Sequence, residues 1–382
     1  MTEAGSLLLS PYTLGDRRLS NRLILSPMVV YYALDGFSND LLFSHLSKFV
    51  IGGFGLVFTE AAAVEKRGRI SHGDLGIWKD AHIAPLKRFT DFARAHGTLS
   101  GVQLAHAGHK GSYQRAFEGY QPLGDADAAR GDPPWETIAP SAMAYVPGGP
   151  TPREMSLDDI EMVQAAWQAA ARRSVEAGFD VLEIHGAHGY LLHEFLSPLT
   201  NHRTDGYGGD RKGRMRFVLE TTARIRSVWP KDRPLFFRMS VVDGIEKGWS
   251  MEDSIALTEA LKAIGVDAID CSSGGTATLG RKDGLPRGPG FQVPLAEGLR
   301  KATGVPSVAV GLITEPEQAE AILQEGRADL IAIGRAALDD PNWALHATLA
   351  LGDRLDYSAW PPEYGWWLER RARTAAKAGQ KK

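Results

Sequence analysis

Short apolar runs alternate along most of the chain with longer stretches whose apolar positions recur every three or four residues. The short runs, rich in Val, Ile, Leu and Phe, predict strands over 22–27, 55–60, 100–106, 180–185, 234–240, 268–272, 307–310 and 330–333. The longer stretches predict helices. Over 157–177, for example, Ile160, Val163, Ala166, Trp167, Ala170 and Val175 fall near helical spacing, and Gly178 marks the end. Eight strand–helix units in succession predict a parallel sheet closed into a (β/α)8 TIM barrel, one domain over 1–368.

Two regions break the alternation. Residues 111–139, dense in Gly, Pro, Asp and aromatics, are longer than a strand-to-helix connection needs and predict a lid on the rim of the barrel mouth. Near the C-terminus, Trp360, Tyr364, Trp366 and Trp367 crowd an aromatic segment without periodicity, and 369–382 read as a basic, frayed and disordered tail. Such aromatics call for a surface to cover, in their own barrel or on a neighbouring subunit.

A barrel of this kind places its chemistry at the strand C-termini. Glu60, Gln103, His106, His185, His188, Arg238, Ser272, Gly311, Gly334 and Arg335 all fall at or just past predicted strand ends. The last two strands run into Gly311 and into Gly334-Arg335, where barrels often hold a phosphate: glycine admits close backbone N–H groups and arginine offers a forked cation. Gln103 can donate to and accept from the edge of a heterocycle, and Arg238 can stabilise charge on a reduced ring. Together with the phosphate anchor they suggest a flavin frame. His185 and His188, three residues apart, can offer two donors to one substrate oxygen, with the Tyr190 hydroxyl nearby. Histidine is also a common metal ligand, so a metal-dependent barrel hydrolase using His185, His188 and His193 stands beside the carbonyl-polarising reading.

Composition narrows the class. A net charge of −3 argues against a nucleic-acid partner. Cys271 is the lone cysteine, so no disulfide or thiolate zinc cluster can form within the chain, which suits a reducing compartment. The first ten residues lack a basic leader, and no run reaches roughly 18 apolar residues, so a cytoplasmic protein without a membrane span is expected. Gly52-Gly53-Phe54-Gly55 precedes a strand instead of following one, so it fails as a dinucleotide fingerprint.

Longer motifs carry a family resemblance. They include Ser26-Pro27-Met28, Asp74-Leu75-Gly76-Ile77-Trp78, Gln103-Leu104-Ala105-His106-Ala107-Gly108 and Ala139-Pro140-Ser141-Ala142. Further on stand Glu183-Ile184-His185-Gly186-Ala187-His188-Gly189-Tyr190, Asn201-His202-Arg203-Thr204-Asp205 and Tyr207-Gly208-Gly209. Over residues 8–345 the chain resembles the old yellow enzyme family of FMN-dependent ene-reductases, especially its bacterial thermophilic-like branch. The resemblance implies FMN as cofactor, NADPH or NADH as reductant, no metal, an electron-poor alkene as substrate, and a homodimer or homotetramer. It implies that Pro27, Met28, Val29 and Ala61 lie against the flavin, Gln103 at its pyrimidine edge and Arg238 by N1 and C2. Gly311, Gly334 and Arg335 would hold the phosphate. His185 and His188 would bind the substrate carbonyl, Tyr190 would donate the proton, and Tyr31 would close the pocket.

The chain also departs from that pattern. Val29 stands where the branch has a cysteine over the flavin, and His109 where it has an arginine. The C-terminal arginine that relatives extend into a neighbouring active site is missing, leaving Tyr364 and Trp366 as aromatic walls that could reach across a dimer. The run 210–214 after Tyr207-Gly208-Gly209 is altered as well. The lid and the added aromatics suit a bulky aromatic or acyl-CoA substrate, and the same frame could run a desaturation or an isomerisation.

Overall fold

The structure, a computed structural model, describes residues 5–276, 285–352 and 356–379. Eight parallel strands close into a barrel: β1 (Leu23–Leu25), β2 (Leu56–Ala63), β3 (Leu99–Ala105), β4 (Val181–Gly186), β5 (Leu235–Ser240), β6 (Ala268–Ser272), β7 (Ser307–Ala309) and β8 (Leu330–Ile333). Closure is made by β8 against β1, with Ile331 opposite Leu23 and Ile333 opposite Leu25. The expected strands are all present, two of them at the expected bounds, 268–272 and 330–333.

Side chains alternate along each strand, and that alternation builds two cores. Leu23, Leu25, Val57, Leu182, Ile184 and Phe237 point outward under the helices. Ile24, Leu56, Phe58, Val181, Phe236, Ala268, Val308 and Leu330 fill the barrel instead. The strand N-terminal end is plugged by a hairpin of Tyr12–Leu14 and Arg17–Leu19, whose Leu14 and Leu19 join the inner core. Continuing the inward rows of β4, β5 and β6 by two residues turns them polar. Val181 leads to Glu183 and His185, Phe236 to Arg238 and Ser240, and Ala268 to Asp270 and Ser272. The lower layer is thus a sealed apolar plug, and the layer above it carries the chemistry.

The helix Leu157–Glu176 shows how the outer layer is set. Ser156 caps it, accepting from the Asp159 N–H while the Asp159 carboxylate accepts from the Ser156 N–H. Ile160, Val163, Trp167 and Ala170 are buried on one face, and Gly178 follows the end at φ +86°.

The excursion after β3 is a folded rim. Gln114 N–H donates to the Gln121 carbonyl at 2.8 Å and Leu123 N–H to the Ser112 carbonyl at 2.9 Å, forming a hairpin-like flap ahead of a short helix, Asp125–Ala129. The excursion returns through Ile138–Ala139, paired with Arg153–Glu154.

The C-terminal expectation needs correcting. Pro362–Gly379 is one helix, continuous through most of the segment read as an aromatic stretch and disordered tail; residues 380–382 lie outside the described residues. Pro362 fits the first helical position, and the Leu, Glu, Arg, Ala and Lys that follow are strong helix formers. No helix of the described residues is long and apolar enough to cross a membrane.

Candidate active site

A cavity of about 550 Å³ opens at the strand C-terminal end. Pro27, Met28 and Val29 after β1, His188 after β4, Arg238 on β5, Gly311 after β7, and Gly334 and Arg335 after β8 all line it. Loops from opposite sides of the barrel thus bring these expected residues to one space.

Arg238 forms the floor. Its Nε lies 3.2 Å from Ser272 Oγ, to which it donates, and 3.3 Å from Asp270 Oδ2, while Nη1 donates to Ser26 Oγ at 3.3 Å. These contacts fix the plane of a buried guanidinium and leave further N–H groups for an acceptor in the cavity. Behind it, Gln103 Nε2 donates to Glu183 Oε1 at 2.8 Å, committing one end of the amide and leaving its oxygen as an acceptor. Burial, and then the facing Asp270, push Glu183 up to about 8. Burial raises Asp270 as well, so the pair resists carrying two negative charges beside one arginine.

At the cavity rim, Gly311 has φ +116°, a left-handed conformation that suits glycine, and an added Cβ there would sit 2.9 Å from Gln292 Nε2. Arg335 is exposed at the cavity rim. The cavity thus holds two cations, Arg238 on its floor and Arg335 on a rim bordered by Gly311 and Gly334. Gln103 and Ala61 lie deeper. They face each other across β2 and β3, and Ala61 lines a small adjoining cavity with Tyr190 and Asp74.

His185 and His188 stand with rings perpendicular, 5.1 Å between centres, His185 Nε2 lying 3.4 Å from His188 Nδ1. The Ala187 N–H donates to His185 Nδ1 at 3.3 Å, which places the ring proton on His185 Nε2 as a donor. Burial first, and then the Arg238 cation, hold both histidines well below their ordinary value, so both are neutral. His188 sits at φ +60°, anchored by its N–H donating to Ser240 Oγ at 2.9 Å. Tyr190 stands edge-on to His185, 5.0 Å between centres, and burial, then Tyr120 and Tyr31, keep its phenol protonated. Tyr31, at φ +59°, closes that side with its ring against Phe117 of the flap at 5.9 Å.

His193 faces elsewhere. Its Nδ1 accepts the Gly189 N–H at 2.9 Å and its Nε2 lies 3.0 Å from Asp243 Oδ1, so neither nitrogen is open to a metal shared with the pair. Cys271 is buried in the barrel wall, with its thiol pushed well above its ordinary value by burial.

Tyr364 and Trp366 are not brought to this site within the chain. The helix Trp343–Leu351 carries the backbone to the strand N-terminal end, where Tyr364 lines a second cavity, of about 770 Å³, with Phe54, Thr98 and Trp360. Trp366 is exposed, packed on Trp367 and under Arg370. In the other direction, several residues of the site escaped the sequence reading: Glu183, Asp270, Lys110, Tyr120 and Tyr145. Extending the inward alternation of β4 and β6 past the apolar layer would have found the two carboxylates.

Residues 7–353 match the NADH:flavin oxidoreductase / NADH oxidase family. The chain belongs to this family. An NADPH dehydrogenase of Geobacillus thermodenitrificans is 42% identical over 94% of the chain and 99% of its own length. One from Listeria welshimeri is 41% identical over 92% and 97%. Among solved structures, the old yellow enzyme homologue from Zymomonas mobilis superposes with a TM-score of 0.71 at 26% identity, covering 87% of this chain and 90% of that one. A 2-naphthoyl-CoA reductase bound to 2-naphthoyl-CoA superposes with a TM-score of 0.80 at 28% identity, covering 94% of this chain and 53% of that one. This member of the old yellow enzyme family is an FMN-dependent oxidoreductase that takes its electrons from NAD(P)H.

Proposed function

We propose that the enzyme reduces the C=C bond of an α,β-unsaturated carbonyl compound. The observation that carries this reading is His188 on the cavity wall, against a neutral His185 whose tautomer is fixed and a protonated Tyr190. FMN held in this cavity and reduced by NAD(P)H would supply the hydride. His185 Nε2–H and the His188 ring would donate to the carbonyl oxygen. Their bonds strengthen as negative charge gathers there, and one such donor can contribute roughly 3 kcal/mol to lowering the barrier. Tyr190 then passes its phenolic proton to the α carbon. The low pKa of the imidazoles keeps that proton on Tyr190 until the enolate forms. Pro27, Met28, Val29, Ala61, Gln103 and Arg238 would frame the ring of the cofactor, with Gly311, Gly334 and Arg335 at its phosphate.

The test is anaerobic. The yellow holoenzyme is reduced with NADPH and mixed with 2-cyclohexenone; rapid return of the oxidised flavin spectrum with one equivalent of saturated ketone is expected. A reduced flavin indifferent to enones would overturn the reading and favour desaturation or isomerisation on the same frame.

A second reading concerns size. The flap carries Tyr113, Phe117 and Tyr120, with Tyr113 5.4 Å from Tyr120 and 6.3 Å from Tyr145 between ring centres and Phe117 against Tyr31. That aromatic lining, and the likeness to a protein solved with an aryl-CoA thioester, support a bulky aromatic or acyl-CoA substrate. Preference for an aryl-CoA enone over 2-cyclohexenone in kcat/KM would support it; the reverse preference would remove it.

A further inference from the structure

We propose that Lys110 is a positioning residue serving both halves of the site: its ammonium is the counter-ion for the Tyr190 phenolate, and its hydrogen bonds hold His188 in the conformation that faces substrate. The first half rests on Tyr190 being the proton donor.

Lys110 ends the turn Gly108–Lys110 after β3 and is 6% exposed. Its Nζ donates to the His188 carbonyl at 2.6 Å and to the Gly275 carbonyl at 2.7 Å. One side chain from the loop after β3 thus ties down the loops after β4 and β6. The junction is tight: a Cβ on Gly275 would lie 2.3 Å from the His188 backbone, and one on Gly189 would lie 2.2 Å from the Gly275 carbonyl oxygen. His188 holds its left-handed φ there although it is not glycine, and such a conformation persists only where the surroundings over-determine it. A bond to the His188 carbonyl itself is such a constraint.

The same ammonium lies over two phenol rings, 4.3 Å from the centre of Tyr145 and 5.4 Å from that of Tyr190. When Tyr190 gives up its proton, the O–H bond breaks, a C–H bond forms at the α carbon, and the electron pair of the O–H bond stays on the phenolic oxygen. The enolate's charge has then moved to Tyr190. Burial and the facing Tyr120, Tyr31, Asp74 and Tyr145 all oppose a phenolate, and none of these supplies a positive charge. Lys110 does. Water returns the proton to Tyr190 after product leaves, so no other reactant is needed.

The groups that face Lys110 are Glu194 from the helix after β4, the adjacent His109, His185 and His188 after β4, and Tyr145 and Tyr190. Burial, partly opposed by Glu194, brings Lys110 down to about 7. A neutral amine still has two hydrogens for the two carbonyls. Raising the pH through this value therefore removes the counter-ion and leaves the clamp, which separates the two roles.

The test follows alkene-driven reoxidation of the reduced holoenzyme across that pH. The wild-type rate is expected to fall as pH rises through about 7. Lys110→Met should lose roughly 10- to 100-fold and show no step, whereas Lys110→Arg should recover part of the rate and keep it above the step. Titration of the oxidised holoenzyme with para-nitrophenol reads His188 placement without turnover, and Lys110→Met should bind it roughly tenfold more weakly. Wild-type rate and profile in Lys110→Met would overturn the counter-ion role, as would a flat wild-type profile with Lys110→Arg no better than Lys110→Met. Unchanged phenol affinity would overturn the clamp. If Lys110→Met fails to retain FMN, the wild-type and Lys110→Arg profiles decide. A wild-type flavin that no enone reoxidises would sink the reading of Tyr190, and with it the counter-ion role, leaving the phenol titration to decide the clamp.

Discussion

His188, on the wall of the cavity, stands with its ring at 89° to that of His185, whose Nε2 lies 3.4 Å from His188 Nδ1, so the two imidazoles meet in one place. With the Ala187 N–H occupying His185 Nδ1, the remaining His185 donor can only point toward its neighbour or toward a ligand. Replacing either ring with alanine is expected to slow alkene-driven reoxidation by roughly 100- to 1,000-fold. FMN should stay bound. Stopped-flow traces beside the flavin-to-protein ratio of the purified variant check both statements.

Tyr190→Phe removes the proton donor and leaves the ring that packs on His185. Reoxidation by enone should fall by roughly 100- to 10,000-fold, while reduction by NADPH, which needs no proton from Tyr190, should keep its rate. Equal losses in both half-reactions would mean that the phenol shapes the pocket and does not donate.

Glu60 gives a pH signature in stability. It accepts the Val30 N–H at 2.9 Å and the Leu75 N–H at 3.2 Å, and burial raises it from 4.5 to about 8. A raised carboxyl binds more proton folded than unfolded, so its contribution is fully present below 4.5 and is lost as pH rises toward about 8. The slope is at most about 1.4 kcal/mol per pH unit for one proton. Melting temperatures of wild type and Glu60→Gln between these limits should lie nearest at low pH and separate as the pH rises, the wild type losing stability that the neutral amide keeps; parallel curves would count against it.

Gly275→Ala tests the packing under the histidine loop. Gly275 has φ +98° and no room for a Cβ against His188, so the substitution must move one backbone or the other. Weaker phenol binding is expected, with the barrel still folded by circular dichroism.

Trp167→Ala opens a void between the helix Leu157–Glu176 and the barrel, where the indole is wholly buried. A loss of about 3–5 kcal/mol in denaturant unfolding is expected, with substrate preference unchanged in the folded fraction.

The barrel was legible because its strands are buried on both faces, so every one of them, from 22–27 to 330–333, reads as an apolar run ending in polar residues. His185 and Gly311 were legible for the same reason: each stands where a run stops. Glu183 and Asp270 were not, because each is a charged residue inside a strand, paid for by Arg238 on a third strand that no local pattern connects to them. Lys110 lay hidden in another way. Its partners are backbone carbonyls 78 and 165 residues away, and a carbonyl has no sequence signature. Aromatic composition at Tyr364 and Trp366 says that a surface is wanted and not which surface; within the chain Tyr364 lines a cavity at the other end of the barrel.

Electron-poor alkenes are electrophiles that alkylate thiolates. Where a cysteine would lie over the flavin, this chain has Val29, and its lone thiol, on Cys271, is buried and held in the unreactive protonated form. The pocket thus offers such compounds no thiolate. An enzyme built this way should keep turning over at enone concentrations that would titrate away a relative with a thiol at the flavin, and preincubation with a reactive enone followed by intact-mass measurement should find its sulfur unmodified.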